Sequence, residues 1–203
     1  WSIIELAAEE AAANATRYVT EALRIFEELD DAPGIGRCEW ALANVAWGTQ
    51  ELETARAHAI RALETFESID DRFNFGWASY TLGLAALAEL DRAMSAEHVQ
   101  EARRRLADAL RIFDEAQDVT GYSLVLDAFA ILALLESDRP RAARLSGAVA
   151  RLEHISGTGL NTWNRGVLKF EPDALHADPS LAEAWAEGEA FSPAEAVAYA
   201  LKS

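Results

Sequence analysis

Apolar residues recur every three to four positions along almost the whole chain, and no sustained two-residue alternation interrupts them. That pattern predicts helices and no sheet. In the clearest window Ala55, Ala59, Ala62, Leu63 and Phe66 fall on one side of a helix, with Glu53, Arg56, Arg61 and Glu64 around the other. Trp40 to Trp47 carries similar spacing, and Gly48-Thr49-Gln50 marks the break between the two. The predicted unit is helix, short turn, helix, followed by an acidic loop (Asp30-Asp31, Asp70-Asp71, Asp118) that leads into the next pair.

The second helix of each pair carries a repeated phrase: EALRIFEELDD from residue 21, RALETFESIDD from 61 and DALRIFDEAQD from 108. The second spacing exceeds the first, so one supersecondary unit is repeated and one copy holds a seven-residue insertion. Such an array builds an extended surface rather than a cleft, which points to binding. Mapped back by one period, Ala55 corresponds to Ala15 and Leu42 to Ser2. The first unit is therefore expected to keep only the end of its leading helix, at 1–8, with Ile3, Ile4 and Leu6 left exposed. The insertion, 91–100 with Met94 and His98, is expected to lengthen the turn or add turns to the next helix.

The C-terminal third breaks the pattern. After Arg139 to Ile155 come a loop at Gly157-Thr158-Gly159 and a less regular stretch with Trp163, Val167, Leu168 and Phe170. Two short helices close the chain: Asp178-Pro179 starts one that Gly188 is expected to end, and Ser192-Pro193-Ala194-Glu195 is a capping box for the other. Residues 1–156 read as the repeats and 157–203 as a capping segment of the same domain.

Composition narrows the function. Half of the 203 residues are apolar, enough for a substantial core. The net charge of -16 repels phosphate backbones and anionic headgroups, which argues against nucleic acid and membrane partners. Cys38 is the only cysteine, so no internal disulfide forms, and its expected role is a small buried residue. With no spanning segment, a soluble cytoplasmic protein is expected. The chain opens on Trp1 and its only Met is Met94, which suggests a fragment of something longer.

Catalytic signatures are missing. His58, His98, His154 and His176 are scattered without ligand spacing, and neither G-x-x-x-x-G-K-[ST] nor G-x-G-x-x-G occurs. The paired aspartates lack the ligand ladder of a calcium loop and are read as helix starts. Arg103-Arg104-Arg105 is read as a solvated face, with a docking patch for an acidic partner as the alternative. No enzyme activity, metal or cofactor is expected.

The small-residue spacings resemble the tetratricopeptide repeat: Leu42-Ala43 is followed by Ala55 and Ala62, Leu82-Gly83 by Ala102 and Ala109, and Phe129-Ala130 by Ala142, or by Ala143 one residue on. The long period resembles the longer repeats of bacterial signalling proteins. The tail, ESDRPRAARLSGAVARLEHISGTGL and LAEAWAEGEAFSPAEAVAYAL, resembles the C-terminal end of the tetratricopeptide region in actinobacterial LuxR-type and SARP-type STAND ATPase regulators and related adenylate/guanylate cyclases.

This resemblance implies an all-α, right-handed superhelix of antiparallel helix pairs with a C-terminal cap. It also implies a non-catalytic interaction or regulatory module of a larger bacterial signalling or transcription-regulator protein. The first helices would line a concave groove with Arg37, Trp40, Asn44 and Trp47, then Trp77, Tyr80, Leu84 and Leu87, then Asp127 and Ile131. The alternatives are that these rings are core or covered by the segment around Trp163, or that they line a cavity for a small-molecule effector. The implied partner is a protein or peptide, other domains of the same polypeptide included, with self-association left open.

Overall fold

The computed structural model describes residues 3–92, 95–157 and 161–202, with side chains over 9–90, 95–157 and 161–202. The described residues are all-helical, without a strand: α1 (Ile3–Glu28), α2 (Ala32–Gly48), α3 (Leu52–Ser68), α4 (Arg72–Arg92), α5 (Ala96–Glu115), α6 (Val119–Leu135), α7 (Arg139–Ser156), α8 (Asn161–Leu168), α9 (Pro172–His176), a 3-10 turn (Pro179–Leu181), α10 (Ala182–Glu189) and α11 (Pro193–Ala200). Helices adjacent in sequence pack in pairs, most extensively α2 on α3 and α6 on α7, and α10 returns onto α7. The chain divides into two compact units, Trp1–Ala85 and Ala86–Ser203. No helix among the described residues is long and apolar enough to cross a membrane.

Among the described residues, five connections share one construction. Between α1 and α2, α2 and α3, α3 and α4, α5 and α6, and α6 and α7, three residues intervene. The middle one (Asp30, Gln50, Asp70, Gln117 or Ser137) has φ between 54 and 65°. At the first, Asp31 N–H donates to Phe26 O (2.9 Å) and Asp30 N–H to Glu27 O (3.2 Å), and the same two bonds recur at the other four. This left-handed cap satisfies carbonyls that the helix end leaves unpaired. At four of the five the next residue caps the following helix, Glu51 being the exception: Asp31, Asp71, Asp118 and Asp138 accept the N–H of Gly34, Asn74, Gly121 and Arg141 at 3.0 to 3.3 Å. In Asp30-Asp31 and Asp70-Asp71, then, only the second aspartate starts a helix. The first stops one, which corrects the expectation that both mark starts.

Proline follows the same logic. All five prolines stand in the first turn of a helix or of the 3-10 turn, where a missing N–H costs nothing.

In the first unit Ala43, Ala59, Ala62, Leu63, Phe66, Ala78 and Leu82 form a buried cluster, with Trp40, Ile69 and Phe75 against it. The small residues expected at helix crossings are fully buried: Ala43, Ala55 and Ala62 here, and Ala102, Ala109, Ala142 and Ala143 in the second unit, all at 0% exposure. Short side chains there let helix axes approach closely. Cys38 is buried as expected, and burial raises its thiol pKa.

In the second unit α6 is buried all round from Gly121 to Ala133. Helices α7 and α10 cross at Gly147 and Gly188, where a Cβ on Gly188 would lie 2.7 Å from the Arg144 carbonyl carbon and nearer still to its oxygen. Helix α10 ends at Glu189, one residue past the expected end, and close approach to α7 rather than a left-handed cap explains the glycine. Helix α11 carries both halves of the Ser192/Glu195 capping box. Its far end is held by Arg141, which donates to the carbonyls of Ala200 (2.9 Å) and Lys202 (2.7 Å), while Arg144 donates to the Tyr199 hydroxyl (3.0 Å).

Two further expectations change and one is met. Helix α1 runs unbroken from Ile3 to Glu28 instead of being divided near residue 9; the side chains of Ile3, Ile4 and Leu6 lie outside the described ones. The insertion adds to the next helix as expected, α5 having 20 residues against 17 in α3, and it also carries α4 on to Arg92; Ser95 caps α5 through the N–H of Glu97 and His98, and Met94 lies outside the described residues. The stretch between 160 and 180 contains two helices, α8 and α9.

Candidate functional site: an aromatic face on α2 and α4

Residues three or four apart share one face of a helix. On α2 that relation groups Arg37, Trp40, Asn44 and Trp47, and on α4 it groups Phe73, Trp77, Tyr80, Thr81 and Leu84. Within the first unit the two groups meet. The rings of Trp40 and Trp77 lie 5.9 Å apart, and Trp40 Nε1–H donates to Thr81 Oγ1 at 3.2 Å. Trp77 is packed edge-on by Phe73 (6.5 Å) and Tyr80 (6.3 Å). These separations are those of favourable aromatic pairs.

Depth separates the members. Trp47 (1% exposed), Tyr80 and Leu84 are core. Trp40, Asn44 and Trp77 are half-buried, Phe73 is 43% exposed and Arg37 is exposed. Asn44 Nδ2 donates to the Trp40 carbonyl at 2.8 Å, so part of its amide is committed within α2. The accessible part of the face is Arg37, Trp40, Phe73 and Trp77. Phe73 was not among the expected residues, although its spacing of four from Trp77 is the signal that finds it.

A polar network lies behind α2. Glu39, 6% exposed, accepts from Arg61 Nε at 3.0 Å and lies 2.6 Å from His58 Nδ1. A recess of about 430 Å³ between α1, α2 and α3 is lined by Glu9, Thr16, Leu42, Thr54 and His58, and by none of the aromatic residues above.

Asp127, Leu87 and Ile131 belong to the second unit and are all buried, at 5% exposure or less. Asp127 of α6 meets Arg165 of α8, with Oδ1 to Nη2 at 2.8 Å and Oδ2 to Nε at 3.0 Å. Arg165 also reaches Glu153 of α7 at 3.4 Å, and Glu153 accepts from Asn161 Nδ2 at 2.9 Å. Burial raises the Asp127 carboxyl to about 6, Arg165 opposing it. Helix α8 is therefore anchored by a polar face (Asn161, Asn164, Arg165), while Trp163 stays 52% exposed. Such a pair is geometrically exacting rather than a net source of stability. Arg165 was not predicted, because nothing local to its sequence marks a partner on a helix as remote in the chain as α6.

No protein-family model, curated protein or solved structure matches the chain.

Three of the remaining candidates have partners, and His154 is exposed. Arg103 binds both oxygens of Glu136 at 2.6 and 2.8 Å, and the ring of His176 stacks on Trp185 at 4.4 Å. His98 lies 3.6 Å from Glu89. Among the described residues no three His, Cys, Asp or Glu side chains converge to hold a metal ion.

Proposed function

We propose that the chain is a tetratricopeptide-like array with a helical cap, serving as a non-catalytic protein-interaction module of a larger bacterial signalling or transcription-regulator protein in the cytoplasm. The observation that carries this is the accessible aromatic face: two half-buried tryptophans locked against each other, with Phe73 and Arg37 exposed beside them. Aromatic residues and Arg held rigidly at a surface are the residue types on which interfaces concentrate affinity. The matching turns at Asp30, Gln50 and Asp70, and again at Gln117 and Ser137, are evenly spaced within each run and support a repeat architecture. The net charge of -16 disfavours nucleic acid. The small-molecule reading would place its ligand among the aromatics, whereas the recess of about 430 Å³ between α1, α2 and α3 is lined by none of them.

Peptide display against the folded chain tests the proposal. Selected peptides should lose about thirtyfold in affinity, roughly 2 kcal/mol, on Trp77→Ala or Phe73→Ala. Peptides that bind these variants as well as the parent, with melting temperatures unchanged, would sink it. A collapsed melting temperature for Trp40→Ala and Trp77→Ala, corresponding to about 3–5 kcal/mol, would instead make the pair structural.

A further inference from the structure

Helices α1 and α5 contain the same five residues, Ala22-Leu23-Arg24-Ile25-Phe26 and Ala109-Leu110-Arg111-Ile112-Phe113, each followed by the same left-handed turn. Their burial differs. Ala109, Leu110 and Phe113 are at 0% exposure and Ile112 at 8%. Ala22, Leu23 and Phe26 are only half-buried, and Ile25 is 43% exposed. The corresponding residues of α3, Ala62, Leu63 and Phe66, are buried too.

Helix α3 displays what covers the phrase. Ala59, Ala62 and Phe66 share a cluster with Ala43 of α2, and His58 and Arg61 bind Glu39 of α2. One repeat earlier, Ala55, His58, Ala62, Thr65 and Ile69 become Ala15, Tyr18, Ala22, Ile25 and Leu29. These form one stripe at spacings of three and four, more apolar than the stripe that α2 covers. Tyr18, Ile25 and Leu29 are 64%, 43% and 68% exposed. Another side of α1 is already occupied by α2, with Phe26 against Gly34.

We infer that this stripe of α1 docks an amphipathic helix running antiparallel to it, as α2 runs against α3, with Gly or Ala where it crosses Ala15 and Ala22 and a Lys or Arg in the place of Glu39. The charge follows from a reversal between repeats. Glu39 faces His58 and Arg61, whose counterparts on α1 are Tyr18 and Glu21. A carboxylate in the covering helix would meet Glu21, and a cation would pair with it. Glu21 and Glu28 share Arg24, and residues 9–28 hold five acidic against two basic side chains. A second copy of the chain fits less well, because two surfaces of that charge would face each other in a molecule of net charge -16.

The probe is a helix-stapled peptide of residues 32–48 carrying Cys38→Ser and Glu39→Lys, titrated by fluorescence anisotropy into the full chain. It should bind the parent chain and lose about tenfold or more with Ile25→Asp. The same peptide with Glu39 retained should bind about fivefold more weakly, and that order should invert on a chain carrying Glu21→Lys. Melting curves establish that both variants fold. No binding, equal binding to Ile25→Asp, or an uninverted charge preference would each overturn the inference. So would a dimer, seen by sedimentation, that Ile25→Asp dissociates, since the stripe would then belong to a second copy.

Discussion

Replacing Gly188 by Ala sets two effects of opposite sign against each other. Within a helix that exchange ordinarily stabilises, by up to about 1 kcal/mol in the interior and less in the last turn where Gly188 stands, because alanine has less backbone freedom to lose. At Gly188 the new Cβ would stand 2.7 Å from the carbonyl carbon of Arg144 and 3.1 Å from the amide nitrogen of Ala148, where ordinary contact begins at 3.4 Å. Both neighbours are backbone of α7, so no rotamer change relieves the overlap and α10 must move as a body. A gap of about 0.5–1 Å forfeits a quarter to a half of each dispersion contact it opens. The contacts at risk include those of Leu181, Ala184 and Trp185, all buried. Overpacking of this kind costs about 1–3 kcal/mol, the upper end where nothing flexible yields, so the net expectation is a loss of about 2 kcal/mol. Gly166 is the control: it is helical and exposed, and its Cβ would meet nothing within 4 Å. There the propensity term acts alone, and Gly166→Ala should gain about 0.5–1 kcal/mol. Urea denaturation of both variants decides the matter. Midpoints that move in the same direction would refute the argument.

The other expected outcomes concern turns, charge and crossings. Gln50→Gly and Gln117→Gly relieve left-handed backbone at φ of 62 and 55°, and each should raise stability by up to about 1 kcal/mol; a lower melting temperature would contradict the cap assignment. Asp127 rises from 3.8 to about 6 on folding, so its contribution is complete below about pH 3.8 and is lost as pH climbs through 6. Between those limits the parent should lose up to about 3 kcal/mol relative to Asp127→Asn, and parallel stability profiles for the two would refute this. Ala55→Leu and Ala102→Leu, at positions of 0% exposure, should each cost about 1–3 kcal/mol, and unchanged denaturation midpoints would reject the repeat register.

What was legible in the sequence was whatever depends on near neighbours. Periodicity located α2 and α3 and the break at Gly48 to Gln50, and a serine three residues before a glutamate located the start of α11, because a cap is decided within one turn. The alanines at 55, 62, 102 and 109 were found because helix crossings recur with the repeat. Contacts across long loops left no such trace. Gly188 looks like a helix stop until Arg144 of α7, far back in the chain, is seen against it. Asp127 looks like a groove residue until Arg165 closes over it. In the aromatic face, helical spacing set Trp40 and Trp47 on one side of α2 but carried no information on depth: Trp47 is core and Trp40 is half-buried. Likewise, spacing said nothing about whether α1 divides near residue 9, since Glu9, Glu10 and Ala11 suit a helix interior as well as its end.

The five equivalent turns also make the chain divisible. Asp30 and Asp70 share one backbone conformation, each followed by an aspartate that caps the next helix. A cut after Asp30 rejoined at Asp71 would therefore leave the same left-handed residue, the same cap and the same two carbonyl bonds at the seam. Gene duplication or slippage between such near-identical phrases adds or removes whole hairpins without creating a new junction, so the array can change length by one helix pair at a step while every local stop and start signal survives.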